Sequence, residues 1–381
     1  MKKLVASVLS CALLLGSAGC GVPAPTVEKT TEPTQVIETT EVTEADALEV
    51  LKGKLQNLVE TKKFKGIVSV TLEGEPLLEY ANGTTDTGEA LTIDSPMYIG
   101  SVSKQFCAAA ILMLRDQGKL SLDDTLDKYF PEYALGKDIT VKHLLTMRSG
   151  IRNCTDTIAA NETIEGLQVD HSAEENLDAM VRWVCTQELE FETDSKYKYS
   201  NTNYVLLSRI VEQVSGQCYN DFIRQNILEP VGMKHSGFVD EVRLSPAWAQ
   251  GLNYDSFQAY MDAPGFVQGA GDLVCPAADL ELWMDALASG KVVSQDTFRE
   301  MCVNYSPDAA PGYGYGLQIF SQDHINHTGH IGSYTTNQDH YLHSGLKFIL
   351  FTNETYTNAG EVIQALHAIM YNNGFTDHTG S

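Results

Sequence analysis

The sequence predicts an α/β domain built by both ends of the chain, with an all-α subdomain inserted between them and a cleft at the junction. Three observations predict it. Strand-like alternation occupies residues 66–82 and returns only after residue 316. The stretch from 120 to 289 carries helical spacing and loop residues instead. Amphipathic helical segments bracket the whole, at 45–63 and 358–371.

The chain begins with Met1-Lys2-Lys3, an apolar run from Leu4 to Gly16, and small residues up to Cys20. Residues 1–20 read as a secretory signal, too short for a comfortable membrane span. The ending Gly19-Cys20 resembles a bacterial lipoprotein signal, in which Cys20 is lipidated and becomes N-terminal; Ser17 stands where that pattern prefers leucine. The resemblance implies an exported protein anchored in the cell membrane and facing outward, or a secreted one if Cys20 carries no lipid. Residues 21–44 are rich in Thr, Pro and Glu and poor in large apolar side chains. They cannot bury enough surface to fold, so they form a flexible tether spanning roughly 25–30 Å. The folded domain is expected over 45–375, with a tail at 376–381.

Within the domain, Leu48, Leu51, Leu55, Leu58 and Val59 define the first helix. A hairpin over 66–82 turns at Gly74-Glu75. A buried helix follows Ser101 and ends near Gln117-Gly118. Further helices are expected at 141–147, 173–185, 203–214, 219–227 and 277–288, and strands at 316–320, 337–343 and 346–352. A net charge of −24 makes phosphate-rich nucleic acid an unsuitable partner. With Cys11 removed in the signal and Cys20 carrying the lipid, six scattered cysteines remain without a C-x-x-C pair, so no zinc ribbon is indicated and no disulfide pairing is assigned. Cys107, inside the apolar helix, reads as a buried free thiol.

Ser101 and Lys104 stand three residues apart at the mouth of that helix, on one face and within reach of each other. The free N–H groups and positive end of the helix favour negative charge beside Ser101. A desolvated Lys104 is able to take the serine proton. S-x-x-K is a weak pattern, and serine also favours helix starts as a cap. It recurs at Ser195/Lys198, in a polar stretch, and at Ser344/Lys347, where Ser344-Gly345 reads as a hairpin turn. Only Ser101 opens a long buried helix.

Two more clusters bear chemistry. In Tyr197-Lys-Tyr199-Ser200-Asn201, a tyrosine beside a lysine serves proton transfer if the positive charge lowers its phenol, and Asn201 suits a substrate amide; the bland alternative is a turn into a helix. In His324-Ile-Asn-His327-Thr328-Gly329-His330, the spacing of three invites a metal reading. On a strand, however, residues three apart face opposite sides, so no metal is expected. An edge strand with a small Gly329 beside the substrate backbone is the alternative. G-x-S-x-G is absent.

In this order and with these gaps, Ser101/Lys104, Tyr199-Ser200-Asn201 and His327-Thr328-Gly329 resemble the serine β-lactamase and penicillin-binding protein superfamily, in its class-C-like branch. Residues 144–150, 230–233, 269–273 and 313–317 look like further landmarks of it. The resemblance implies a β-lactamase/transpeptidase-like fold, an antiparallel sheet flanked by helices. It also implies that Ser101 is acylated, with Lys104 and Tyr199 jointly moving its proton, and that Asn201 contacts substrate. The backbone N–H groups of Ser101 and His330 would form the oxyanion hole, and His327 and Thr328 would face the leaving group or a substrate carboxylate. A bulky His330 would narrow the cleft. Y-S-N with H-T-G looks more like the DD-carboxypeptidases of this branch than its efficient lactamases. The expectation is therefore an extracytoplasmic serine hydrolase of D-alanine-terminated peptides, without cofactor. An esterase, amidase or β-lactamase on the same site is the alternative, with a peptide, ester or β-lactam as substrate. A non-catalytic binding module is the rival from another class. The oligomeric state is left open.

Overall fold

A computed structural model describes residues 44–85, 88–242, 263–354 and 357–375. The signal segment, most of the tether and the tail lie outside the described residues. The chain starts with helix α1 (Glu44–Thr61), then strands β1 (Gly66–Leu72), β2 (Glu75–Asn82) and β3 (Met97–Tyr98). A 3-10 turn (Gly100–Val102) leads into α2 (Ser103–Asp116). Next come α3 (Val141–Leu145), α4 (Cys154–Ala159), α5 (Ala173–Thr186), α6 (Asn201–Ser215), α7 (Tyr219–Ile223) and β4 (Gly237–Phe238). The second half holds β5 (Leu273–Cys275), α8 (Ala277–Ala288), α9 (Gln295–Met301), β6 (Gly312–Tyr313) and β7 (Gln318–Ile319). It closes with β8 (His324–Ile331), β9 (Tyr334–Tyr341), β10 (Leu346–Thr352) and α10 (Ala359–Asn372).

Both chain ends build one seven-stranded antiparallel sheet in the order β2-β1-β10-β9-β8-β7-β6. The β1–β2 turn falls at Glu73-Gly74, whose backbones both take positive φ (51° and 84°), as a tight hairpin needs. All seven residues of β1 are buried because both of its faces are covered. On one face Ile67 joins the large core around α2, where Phe106 stacks on Trp283 at 3.9 Å. On the other, Val68 and Val70 pack against α1 and α10.

The helix expected at 219–227 is α7 followed by a wider π turn at Arg224–Leu228. The strand expected at 316–320 is reduced to two residues, and α6 starts two residues early, at Asn201. All six cysteines of the domain are free thiols, with Cys107 buried. No helix among the described residues is long and apolar enough to cross a membrane.

Candidate active site

The turn that carries Ser101 is squeezed against β8. A Cβ on Gly329 would stand 1.9 Å from the Ile99 carbonyl oxygen, and one on Gly100 would stand 2.9 Å from the His330 nitrogen. Only glycine at both places allows the approach, and Gly100 also takes φ +51°. The approach is open because β8 has β7 as a neighbour only at Ile325 and Asn326. Beyond them its edge is free for the turn and for a ligand. The backbones of Ser101 and His330 thus border one cleft of about 280 Å³, whose wall includes Thr155, Asn201, Ala270 and Ile331.

Lys104 lies beneath Ser101 with 0 % of its surface exposed. Its Nζ is 3.1 Å from Ser101 Oγ, 2.7 Å from Asn201 Oδ1 and 2.6 Å from the Ala270 carbonyl oxygen. Burial, without a hydrogen-bonded carboxylate, lowers its pKa to about 7. A neutral amine has two N–H groups and one lone pair. The two short contacts go to oxygens that can only accept, so they take the N–H groups. The lone pair is left for the hydroxyl proton of Ser101.

The orientation of Asn201 makes this possible. Its Nδ2 donates to Thr155 Oγ1 at 2.9 Å, so Oδ1 is the end turned to Lys104. Asn153 Oδ1 accepts from both the Asn201 backbone N–H (2.9 Å) and the Thr155 hydroxyl (3.1 Å), closing a polar ring.

Tyr199 comes from the loop before α6, its ring 4.9 Å from Lys104 Nζ. The expectation of a lowered phenol is overturned. Burial pushes it well above the ordinary value, with the Ser101 hydroxyl acting the other way. The neighbouring Lys198 is spent on Glu190 at 2.7 Å.

The third motif obeys strand alternation. Gly329 and His327 face the catalytic side, Thr328 and His330 the other. His327 is 1 % exposed, with Nδ1 donating to the Thr328 carbonyl (2.7 Å) and Nε2 accepting from Tyr313 Oη (3.1 Å). Burial and then the charge of Lys104 lower its pKa to about 3, so it is neutral. His327 thus offers no positive charge to a substrate, and Thr328 lies on the exposed side of the strand. Nor does the His330 ring narrow the cleft: it turns away and meets Thr335 Oγ1 at 3.1 Å. The same alternation sets His327 on the opposite face from His324 and His330, and those two stand six residues apart along β8.

The fold and this site define a serine hydrolase. The family model described as Beta-lactamase matches residues 51–369, and the chain belongs to that family, in its class-C-like branch. It is 27% identical over 325 residues to the putative penicillin-binding protein PbpX of Bacillus subtilis, covering 83% of this chain and 78% of that one. It is also 27% identical over 275 residues to a D-aminopeptidase of Brucella anthropi, covering 70% of this chain and about half (51%) of that enzyme. A penicillin-binding protein structure from Bacillus halodurans superposes with a TM-score of 0.71 at 20% identity, covering 83% and 98% of the two chains.

The site residues missed in the sequence are Thr155, Asn153, Ala270 and Tyr313. Ala270 and Tyr313 lie in segments noticed as landmarks, but nothing there marked a role. Ala270 acts through a carbonyl that every residue possesses. Thr155 had no signal at all.

Proposed function

We propose that the chain hydrolyses D-alanine-terminated peptides through an acyl-enzyme on Ser101, outside the cytoplasmic membrane. The observation that carries the acyl-transfer chemistry is the Lys104 amine, aimed at Ser101 Oγ by two carbonyl acceptors. Lys104 removes the serine proton as Ser101 attacks the scissile carbonyl. The oxygen that becomes negative enters the space between the Ser101 and His330 amides, where loss of one donor costs about 3–4 kcal/mol of transition-state stabilisation. Tyr199, kept as a neutral phenol, hands a proton to the departing group and regains the one that Lys104 took from Ser101. The D-aminopeptidase relative supports a substrate built on D-amino acids.

A second reading is an esterase or amidase whose leaving group carries no carboxylate. It is favoured by His327, neutral and fully engaged within the protein, and by a cleft wall without Lys or Arg among its described residues. Intact-mass measurement after incubation with penicillin, with Ser101→Ala as control, decides. A lasting adduct on Ser101 supports the D-alanyl-peptidase reading. Penicillin consumed without an adduct indicates a β-lactamase. Untouched penicillin, with turnover of D-alanyl esters or amides, supports the second reading. We also propose that Cys20 carries the membrane anchor; Cys20→Ala then releases the protein from the membrane fraction.

A further inference from the structure

On the sheet face opposite Ser101, His324 of β8, Asp339 of β9 and His367 of α10 meet in the core, exposed by 1 %, 1 % and 4 %. One nitrogen from each imidazole and one carboxylate oxygen all lie within 4.8 Å of one another. His324 Nε2 is 2.6 Å from Asp339 Oδ1, and His367 Nε2 is 3.3 Å from Asp339 Oδ2. The surroundings already hold these groups in place. Tyr341 Oη meets His367 Nδ1 at 2.7 Å and turns Nε2 toward the carboxylate. Asn326 and Asn337 each place an Nδ2 on Asp339. Rings of Phe320 and Tyr341 sandwich His324 at 4.7 and 4.1 Å.

Asn326 Oδ1, buried in this group, has no hydrogen-bond partner; His324 Nδ1 has none either, but it lies on the ring edge away from Asp339 and would keep its proton. A buried polar group without a partner points to something missing from the site, such as an ion or water. We propose that His324, Asp339 and His367 bind one zinc ion, with Asn326 as the fourth donor. Two imidazoles and a carboxylate are a zinc donor set, held at about 2.0–2.1 Å in a tetrahedron. Donor atoms of such a tetrahedron stand about 3.3–3.4 Å apart, so the His367 contact at 3.3 Å already fits and the His324 contact at 2.6 Å must open by roughly 0.7–0.8 Å. Each imidazole ligates through Nε2 with its proton on Nδ1, which for His367 donates to Tyr341 Oη. Turning the Asn326 amide over brings its unpartnered Oδ1 toward the ion. The bound ion would pin β8 to β9 and α10 without entering the catalytic cleft, so the proposal stands apart from the identity of the substrate.

The test uses the full chain, loaded with Zn²⁺, dialysed against metal-free buffer and analysed by plasma mass spectrometry. About one zinc per chain is expected in the wild type and in Ser101→Ala, and less than about a tenth of that in His324→Ala and His367→Ala. No retained zinc in the wild type, or equal zinc in folded histidine variants, overturns the proposal. Should the variants not fold, X-ray absorption of the zinc-loaded wild type decides. Two imidazoles with oxygen donors are expected. A sulfur ligand, or fewer than two imidazoles, places the ion elsewhere and overturns it.

Discussion

The two faces of the main sheet each bury an ionisable centre, and they treat its charge in opposite ways. Beneath Ser101, Lys104 meets only a hydroxyl and two neutral carbonyl oxygens, and burial draws its pKa down to about 7. Behind the sheet, Asp339 is equally buried, which alone would push its carboxyl up. The hydrogen bonds from His324 and His367 outweigh that and hold it well below the usual carboxylate range. Burial is common to both, so it does not decide the charge. The partners do. A group meant to exchange a proton is denied an ionic partner, whereas a group that must stay charged is surrounded by donors.

Four experiments sharpen or break this contrast. The largest effect is expected for Ser101→Ala, which should lower hydrolysis by on the order of 10⁵–10⁶-fold while the thermal unfolding midpoint stays near the wild-type value. Residual activity within a hundredfold of wild type would remove Ser101 from its role. Asp339→Ala should act in the reverse way on the other face. It strands two buried imidazoles and should destabilise the fold by roughly 3–5 kcal/mol, read by urea unfolding. A loss under 1 kcal/mol would mean that the far cluster holds no charge worth compensating.

The third experiment is the pH dependence of kcat/KM. Catalysis requires unprotonated Lys104, so the rate should be level above pH 7 and fall about tenfold per unit well below it. A profile flat from pH 5 to pH 9 with chemistry limiting would reject Lys104 as the base. The same shift has a stability sign. The unfolded chain binds the Lys104 proton up to its ordinary value of 10.5, while the folded chain releases it near 7. Burial of Lys104 therefore costs most below pH 7, and the cost is relieved as pH rises from 7 to 10.5. The smallest effect is expected for Thr155→Val, which frees the Asn201 amide to turn over. It should lower kcat/KM about five- to tenfold, consistent with one hydrogen bond, with Thr155→Ser restoring it. Equal loss in both variants would assign Thr155 to packing alone.

Much of this was readable beforehand, for reasons that differ by residue. Ser101 and Lys104 stood out because an apolar helix follows them directly, and the hairpin because β1 and β2 join through a turn of two residues. Strand alternation does separate His327 from His324 and His330. What stayed hidden depends on long-range neighbours. The rise of the Tyr199 phenol comes from burial that no local pattern reports, and the adjacent Lys198 suggested the reverse. The contact of His327 with Tyr313, fourteen residues earlier, is equally hidden because Tyr313 enters through β6. His324 gained companions only when β9 and α10 folded over it.

The position of α1 and α10 bears on how the molecule is handled. They pack together behind the sheet, tied by Lys62 to Glu361 and by Lys54 to Asn373. A connector entering at Glu44 and a purification tag leaving after Phe375 would therefore both hang from the back of the molecule. Immobilised by either end on a bead or a sensor chip, the protein should present its cleft to the solution, so captured enzyme should react with probes as fast as free enzyme.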